Sequence, residues 1–205
     1  MESLLYSIPA ILIALTFHEY CHGLVASMLG DDLPRLQGRL SLNPLRHLDL
    51  LGTLMLLFTH FGWAKPVMVN PNAFRGNRKR GMLLVAIAGP LSNLFLAILS
   101  GFFIKIISSG LIPYNIYFFN FFIQLMVINV YLAAFNIIPL PPLDGSKVLA
   151  AILPYKYANW IYSAGQYSMI ILLILSFTGF LGYLLGPITN GLFALIGLLT
   201  GMHFV

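Results

Sequence analysis

The sequence predicts an all-α membrane protein whose helices cross the bilayer several times. Of its 205 residues, 59% are hydrophobic and only 8% are charged, whereas soluble domains carry about 25% charged residues. The apolar stretches are also far longer than the roughly 10-residue alternating segments of a membrane β-barrel. A single cysteine excludes a small disulfide-stabilised protein. A helical, polytopic membrane protein is the class that remains.

Five apolar segments are predicted to cross the bilayer. They lie at about Leu4–Leu29, Gly81–Ser108, Tyr114–Ile138, Trp160–Leu185 and Ile188–Phe204. The last two are separated by Gly186-Pro187, where a helix is expected to break. A further apolar run, Leu48–Phe61, has about 14 residues, which predicts a re-entrant or interfacial segment rather than a full crossing.

Basic residues are divided unequally between the two sides of this predicted protein. If Leu48–Phe61 does not cross, all but one of the 11 lysines and arginines fall on one side, and only Lys105 lies near the other. The positive-inside rule then places the basic loops in the cytoplasm and the N-terminus outside. If that segment crosses, the bias largely disappears. Since no basic patch alternates with aromatic residues, the net charge of +5 indicates membrane orientation and no nucleic-acid partner.

The first apolar segment contains a motif typical of zinc hydrolases, His18-Glu19-Tyr20-Cys21-His22. Residues four apart share one face of a helix, so His18 and His22 can bind one zinc ion together. Glu19 lies about 100° further round, where it can reach a metal-bound water without being a ligand. Because a charged residue inside a membrane helix costs roughly 2.5–3.5 kcal/mol, three such groups indicate a function. Hydrogen bonding to neighbouring helices is the structural alternative.

A catalytic zinc ion usually takes a third protein ligand and leaves the fourth position to water. Asp144 is the leading candidate, because it follows a proline-rich, helix-breaking run at membrane depth, where irregular backbone is tolerated only if it lines a cavity. Its alternative role is the N-cap of a short helix that begins at Gly145. His47 and Asp49 form a second candidate pair.

Together these motifs resemble those of the site-2 proteases, a family of intramembrane zinc metalloproteases. The resemblance covers roughly residues 14–153 and rests on His18-Glu19-x-x-His22, Gly89-Pro90-Leu91-Ser92-Asn93 and Asn136-x-x-Pro139-x-Pro141-Pro142-Leu143-Asp144-Gly145. Leu42-Asn43-Pro44 and Gly62-Trp63-Ala64-Lys65-Pro66-Val67 further resemble the compact bacterial and archaeal branch that has no PDZ or CBS domain.

The resemblance implies roles for individual residues. His18, His22 and Asp144 would bind one zinc ion per chain, and Glu19 would be the catalytic base. Asn93 would contact the substrate or the oxyanion. The chain would form one membrane-embedded domain, 1–205, with its catalytic core at about 4–153 and C-terminal helices at about 160–204.

Two short stretches near the predicted site are expected to form β-strands. Arg39–Leu42 alternates polar and apolar residues, and Val67-Met68-Val69 is partly β-branched and bounded by prolines. An edge strand of Val67, Met68 and Val69 would bind an unwound substrate by strand addition, as the resemblance also implies. The alternative is two ordinary interfacial loops.

The expected function is hydrolysis of peptide bonds in single-span membrane proteins, near the cytoplasmic face of a prokaryotic cell membrane. A catalytically silent relative, acting as a membrane binding or scaffold protein, is the first alternative. A channel or transporter would also hold intramembrane ionisable groups, but the sequence has no repeated broken helices in matching halves. A membrane lipid hydroxylase would need a richer set than the 5 histidines present.

Overall fold

The computed structural model describes residues 2–49, 52 and 64–202, and most of these residues are helical. Its helices, in chain order, are α1 (Glu2–Met28), α2 (Leu33–Leu36), α3 (Arg78–Ser108), α4 (Ile116–Ile137), α5 (Asp144–Ile152), α6 (Tyr155–Phe177) and α7 (Phe180–Thr200). Two short 3₁₀ turns, Pro44–Arg46 and Pro71–Ala73, lie in the connection between α2 and α3.

Four helices are long and apolar enough to cross a membrane, and they confirm the prediction of a multi-pass helical protein. They are Leu4–Met28, Arg78–Ser108, Ile116–Ile137 and Phe180–Thr200. The predicted span at Trp160–Leu185 corresponds in part to a shorter apolar stretch of α6, Gly165–Phe177. A fifth crossing therefore stays a prediction.

The break between the last two helices differs from the prediction. It lies at Thr178-Gly179 rather than at Gly186-Pro187. Gly179 has a φ of 75°, the left-handed conformation that glycine adopts at no steric cost and that commonly follows a helix end. Pro187 lies inside α7. A proline removes only one helical hydrogen bond, and membrane helices tolerate this where the surroundings satisfy the freed carbonyl.

The two predicted β-strands are wrong for the described residues. Arg39–Leu42 and Val67–Val69 form no ladder, and the β-pairing in this part of the chain is an isolated antiparallel bridge between Leu48 and Ala64. An alternation of polar and apolar side chains does not show which acceptors the backbone N–H groups bind. The N–H of Val67 donates to the side chain of Glu19, and that of Arg39 donates to a carbonyl of α2.

Most of the predicted re-entrant segment, Leu48–Phe61, lies outside the described residues. Its flanks are nevertheless paired with each other, because the N–H of Lys65 donates to the carbonyl of His47 at 2.8 Å, beside the Leu48–Ala64 bridge. The residues just before and just after this segment therefore lie side by side.

Helix α3 packs against α1, α4, α5 and α7. Its buried positions are rich in small residues: Gly81, Ala86, Gly89, Ser92, Ala97, Ser100 and Gly101. In a membrane, helices associate through close van der Waals packing and interhelical hydrogen bonds, for which small side chains are needed. The small residues of α3 therefore allow its neighbours to approach closely, and one of these approaches forms the site described next.

Candidate metal centre

The two histidines of the first spanning helix face the interior of the protein. His18 and His22 are 5% and 6% exposed, and they lie one turn apart on α1, as their spacing predicts. Their rings meet edge to face with centroids 4.6 Å apart, and their Nε2 atoms are 3.0 Å apart. Helical periodicity therefore puts both rings on one face of α1, where their Nε2 atoms approach one position.

Asp144 comes to the same position from the other end of the chain. The proline-rich run ends α4, and Asp144 begins α5. Its Oδ2 lies 3.1 Å from Nε2 of His18 and 2.9 Å from Nε2 of His22. Within the described ranges, these three residues form the group of metal-ligand side chains that the structure brings together, with all ligand atoms within 4.8 Å of one another.

The distal ring nitrogens of both histidines donate hydrogen bonds to fixed acceptors. Nδ1 of His22 donates to the carbonyl of Val85 at 2.7 Å, and a carbonyl can only accept. Nδ1 of His18 donates to Oδ1 of Asn93 at 2.6 Å. In a neutral imidazole, a proton on Nδ1 leaves a lone pair on Nε2. Both Nε2 lone pairs therefore face the Asp144 carboxylate.

Three electron-pair donors within about 3 Å of one another fit a bound cation. A tetrahedral zinc ion with bonds of roughly 2.0–2.1 Å holds its ligand atoms about 3.3–3.4 Å apart, close to the separations of 2.9, 3.0 and 3.1 Å found here. Two histidines and one carboxylate are also a donor set of catalytic zinc, which leaves a fourth position open. The arrangement therefore fits zinc.

The backbone of α3 closes one side of this centre at Gly89. A Cβ atom there would lie 2.4 Å from Nε2 of His22 and 2.5 Å from Cε1 of His18. No side chain fits at these distances, so a glycine is needed where α3 passes the two rings. Gly145 has a similar role next to Asp144, since its Cβ would lie 2.2 Å from the carbonyl oxygen of Ile137.

Lys147 neutralises the carboxylate oxygen that faces away from the histidines. Its Nζ donates to Oδ1 of Asp144 at 2.8 Å, three residues along α5. The positive charge of Lys147 stabilises the ionised form of this carboxylate. Sequence reasoning missed Lys147, although the i, i+3 spacing from a candidate ligand is a usable signal.

Glu19 lies on α1 beside the histidines and is tied to the connection between α2 and α3. Its Oε2 accepts a hydrogen bond from the N–H of Val67 at 2.9 Å. Met68 is exposed, whereas Val69 packs against an apolar cluster that contains Ala26 and Phe74. Of the three residues of the predicted edge strand, Val67 is thus the one that donates to Glu19.

Asn93 is fully buried and contacts His18 directly. The alternative pair, His47 and Asp49, lies apart from the cluster of ligand atoms. His47 is buried and its Nε2 donates to the carbonyl of Ser41 at 2.7 Å, while Asp49 accepts from the N–H of Gly52 at 2.8 Å. Each of these two side chains therefore caps its own loop.

Two buried histidines and a carboxylate, with a glutamate beside them, are the set of residues that zinc-dependent hydrolases use. The chain is 39% identical over 197 residues to "Putative zinc metalloprotease YwhC" of Bacillus subtilis, an alignment that covers 90% of this chain and 86% of that protein. The chain belongs to the site-2 protease-like zinc metalloproteases.

Two other relatives carry similar names. "Putative zinc metalloprotease Rip2" of Mycolicibacterium smegmatis is 27% identical over 173 residues, covering 82% of this chain and 64% of that protein. "Zinc metalloprotease MJ0392" of Methanocaldococcus jannaschii is 37% identical over 79 residues, covering 38% of this chain and 22% of that protein. No family model and no solved structure matches the chain.

The close approach of α3 to the two rings gives a first prediction. We expect Gly89→Ala to abolish zinc binding, because its Cβ would occupy the space of both histidine rings. The measurement is the zinc content of purified protein by elemental analysis. Gly191→Ala in α7 is the matched control, since a Cβ there has no neighbour within 4 Å, and it should keep a full complement of zinc. Zinc binding in Gly89→Ala equal to that of the control would contradict the described packing.

Proposed function

We propose that the protein is an intramembrane zinc endopeptidase that hydrolyses peptide bonds of single-span membrane proteins near the cytoplasmic face. The observation that carries this proposal is the convergence of two histidine lone pairs and one carboxylate in the interior of a membrane protein, with Glu19 beside them. A binding or scaffold protein would not need a glutamate next to the metal position, and the complete set of residues favours an enzyme.

His18, His22 and Asp144 would hold the zinc ion. When bound, zinc supplies Lewis-acid activation of water and of the scissile carbonyl. Glu19 would accept the proton of the attacking water and return it to the leaving amine nitrogen. The hydrogen bond from the Val67 N–H fixes Oε2 of Glu19, so the other carboxylate oxygen, Oε1, is the one suited to carry that proton.

The stretch beside Glu19 suits an extended substrate. Lys65–Asn70 is non-helical backbone that lies over the face of α1 carrying Glu19 and Gly23, where the Val67 side chain comes within 3.6 Å of the position a Cβ of Gly23 would take. A helical substrate keeps its carbonyls in internal hydrogen bonds and must unwind before hydrolysis. We infer that Val67, Met68 and Val69 contact the unwound segment of the substrate.

An apolar cavity of about 350 Å³ lies next to the metal centre, between α3, α4 and α5. Its lining includes Pro90, Asn136, Gly145 and Val148, and it is almost entirely apolar. A residue of a membrane-spanning substrate is itself apolar and would be favourably buried there. The cavity therefore supports a hydrophobic peptide as the substrate.

The orientation is also proposed: a prokaryotic cell membrane, the N-terminus outside, and access to the site from the cytoplasm. The paired flanks of Leu48–Phe61 support a re-entrant segment. A second tie supports it, because the buried carboxylate of Asp31 accepts from the N–H of Asn70 at 2.7 Å. The loops before and after the segment are thus held together, and the positive-inside rule places them in the cytoplasm.

Glu19→Gln tests the proposed base. The amide is nearly isosteric and can still accept from the Val67 N–H, but it cannot take up a proton from water, so we expect wild-type zinc content with cleavage abolished. The assay is co-expression with candidate single-span proteins and mass spectrometry of the fragments. Asp32→Asn, which changes an exposed carboxylate, is the control and should cleave normally. Retention of more than a few per cent of activity in Glu19→Gln would remove Glu19 from the mechanism.

Asp144→Asn tests the proposed third ligand. A neutral amide is a poorer ligand than a carboxylate, so zinc affinity should fall by more than the roughly 10–100-fold typical of losing a group behind a ligand. Affinity is measured by competition with a chromophoric chelator in detergent. Asp49→Asn is the comparison and should bind zinc as the wild type does. If Asp49→Asn instead loses zinc affinity and Asp144→Asn does not, the third ligand belongs to the His47 and Asp49 pair.

The proposed orientation can be checked in intact cells. In a Cys21→Ser background, single cysteines at Asp32 and Asn72 should react equally with an impermeant thiol reagent, because the loops that carry them are tied together. A cysteine at Ile112, in the loop between α3 and α4 at the opposite end of α3, should show the opposite accessibility. Different labelling of Asp32→Cys and Asn72→Cys would mean that Leu48–Phe61 crosses the membrane.

A further inference from the structure

Two buried asparagine side chains connect α4 to the metal centre. Asn129 on α4 and Asn93 on α3 are both 0% exposed. Nδ2 of Asn129 donates to the carbonyl of Leu125 at 2.8 Å, one turn earlier on the same helix. That bond identifies the other terminal atom of Asn129 as the acceptor, and Nδ2 of Asn93 donates to it at 2.8 Å.

The orientation of the Asn93 amide follows from its neighbours. Its Nδ2 donates to Oδ1 of Asn129 and to the carbonyl of Ala14 at 3.2 Å. An inverted amide would place its oxygen against both of these acceptors, which an amide oxygen cannot satisfy. Oδ1 of Asn93 must therefore face Nδ1 of His18, where it accepts at 2.6 Å. The proton of the His18 ring is in this way fixed on Nδ1.

We propose that Asn129 is a positioning residue for the metal centre, acting through Asn93 to hold His18 with its Nε2 lone pair directed at the zinc position. This inference rests on the proposed zinc site. His22 does not need such an arrangement, because its Nδ1 donates to the backbone carbonyl of Val85, whose direction is set by α3 itself. The acceptor for His18 is a side-chain amide with two possible orientations, and Asn129 selects one of them.

A consequence concerns Asn93. Both of its amide hydrogens are donated within the protein, to Asn129 and to Ala14. A hydrogen bond from Asn93 to a substrate carbonyl would require one of these bonds to break. We call the hydrogen-bonded series of Asn129, Asn93 and His18 the relay. In the relay, the role of Asn93 is to bind His18. Asn93→Ala should therefore lower zinc affinity by about 10–100-fold, the range for partners of metal-ligating histidines. A substrate-contacting role alone predicts unchanged affinity and slower cleavage.

The decisive experiment compares Asn129→Ala with Asn129→Asp. Alanine removes the acceptor for Asn93, and we expect zinc affinity to fall by about tenfold, the lower end of that range, because Asn129 acts at one remove. Aspartate keeps an oxygen facing Nδ2 of Asn93 whatever its protonation state, and its affinity should stay close to that of the wild type. Affinity is measured by chelator competition on purified, metal-depleted protein, which requires no substrate.

Gln124→Ala is the matched control for loss of a polar contact between α4 and α1. Gln124 Oε1 accepts from the hydroxyl of Ser7 at 3.5 Å, well away from the relay. We expect Gln124→Ala to bind zinc as the wild type does. In the absence of metal, the melting temperature of Asn129→Ala should lie within a few degrees of that of Gln124→Ala. A loss of cleavage at limiting zinc that is restored by excess zinc would further separate positioning from a general packing effect.

Each outcome bears on the inference. Wild-type zinc affinity in Asn129→Ala would overturn it, as would equal weakening in Asn129→Asp or in Gln124→Ala. Failure of the wild-type protein to bind zinc would overturn the proposed function instead, and the two failures are therefore distinguishable. Reduced affinity in Asn129→Ala alone is the result that supports the relay.

Discussion

The constraint on which the structure depends is the mutual repulsion of three electron-pair donors held together in the interior of a membrane protein. The Nε2 lone pairs of His18 and His22 and a carboxylate oxygen of Asp144 lie within 3.1 Å of one another. Bringing them together costs free energy that a bound cation would offset. Gly89 makes the space for the rings, and Lys147 balances the other carboxylate oxygen. The arrangement of the surrounding helices thus fits a metal position between them.

The polar side chains buried between the helices are better explained by the orientation of a proposed metal ligand than by stability. Within a membrane, an interhelical hydrogen bond contributes only about 0.6 kcal/mol on average. The hydrogen bonds from Asn93 to Asn129 and from His18 to Asn93 therefore add little to the free energy of unfolding. Packing of small residues along α3 holds the helices together without it. Orientation of a metal ligand, by contrast, typically changes metal affinity by about 10–100-fold. The magnitudes therefore favour a functional reason for these side chains.

The sequence predicted the parts of the site that local geometry determines. His18 and His22 share a face because of helical periodicity, and Asp144 was recognisable because prolines end a helix just before it. Asn129 and Lys147 were missed, since their roles follow from contacts between helices that no local pattern encodes. The predicted strand at Val67–Val69 was wrong for a related reason. Its side chains alternate as in a strand, but the N–H of Val67 donates to Glu19 instead of to a neighbouring strand.

The two sides of the site differ in how they are built. The ligands come from helices α1 and α5, and the glycine that admits them comes from α3. The candidate base, Glu19, instead receives its hydrogen bond from the non-helical stretch Lys65–Asn70, which is anchored again at Asp31 through the N–H of Asn70. The hydrogen-bond partners of His18, His22 and Asp144 lie on helices α1, α3 and α5 instead. The proposed base and the proposed ligands are therefore held by different parts of the chain, and Val67→Pro, which removes the N–H that donates to Glu19, should leave zinc affinity unchanged.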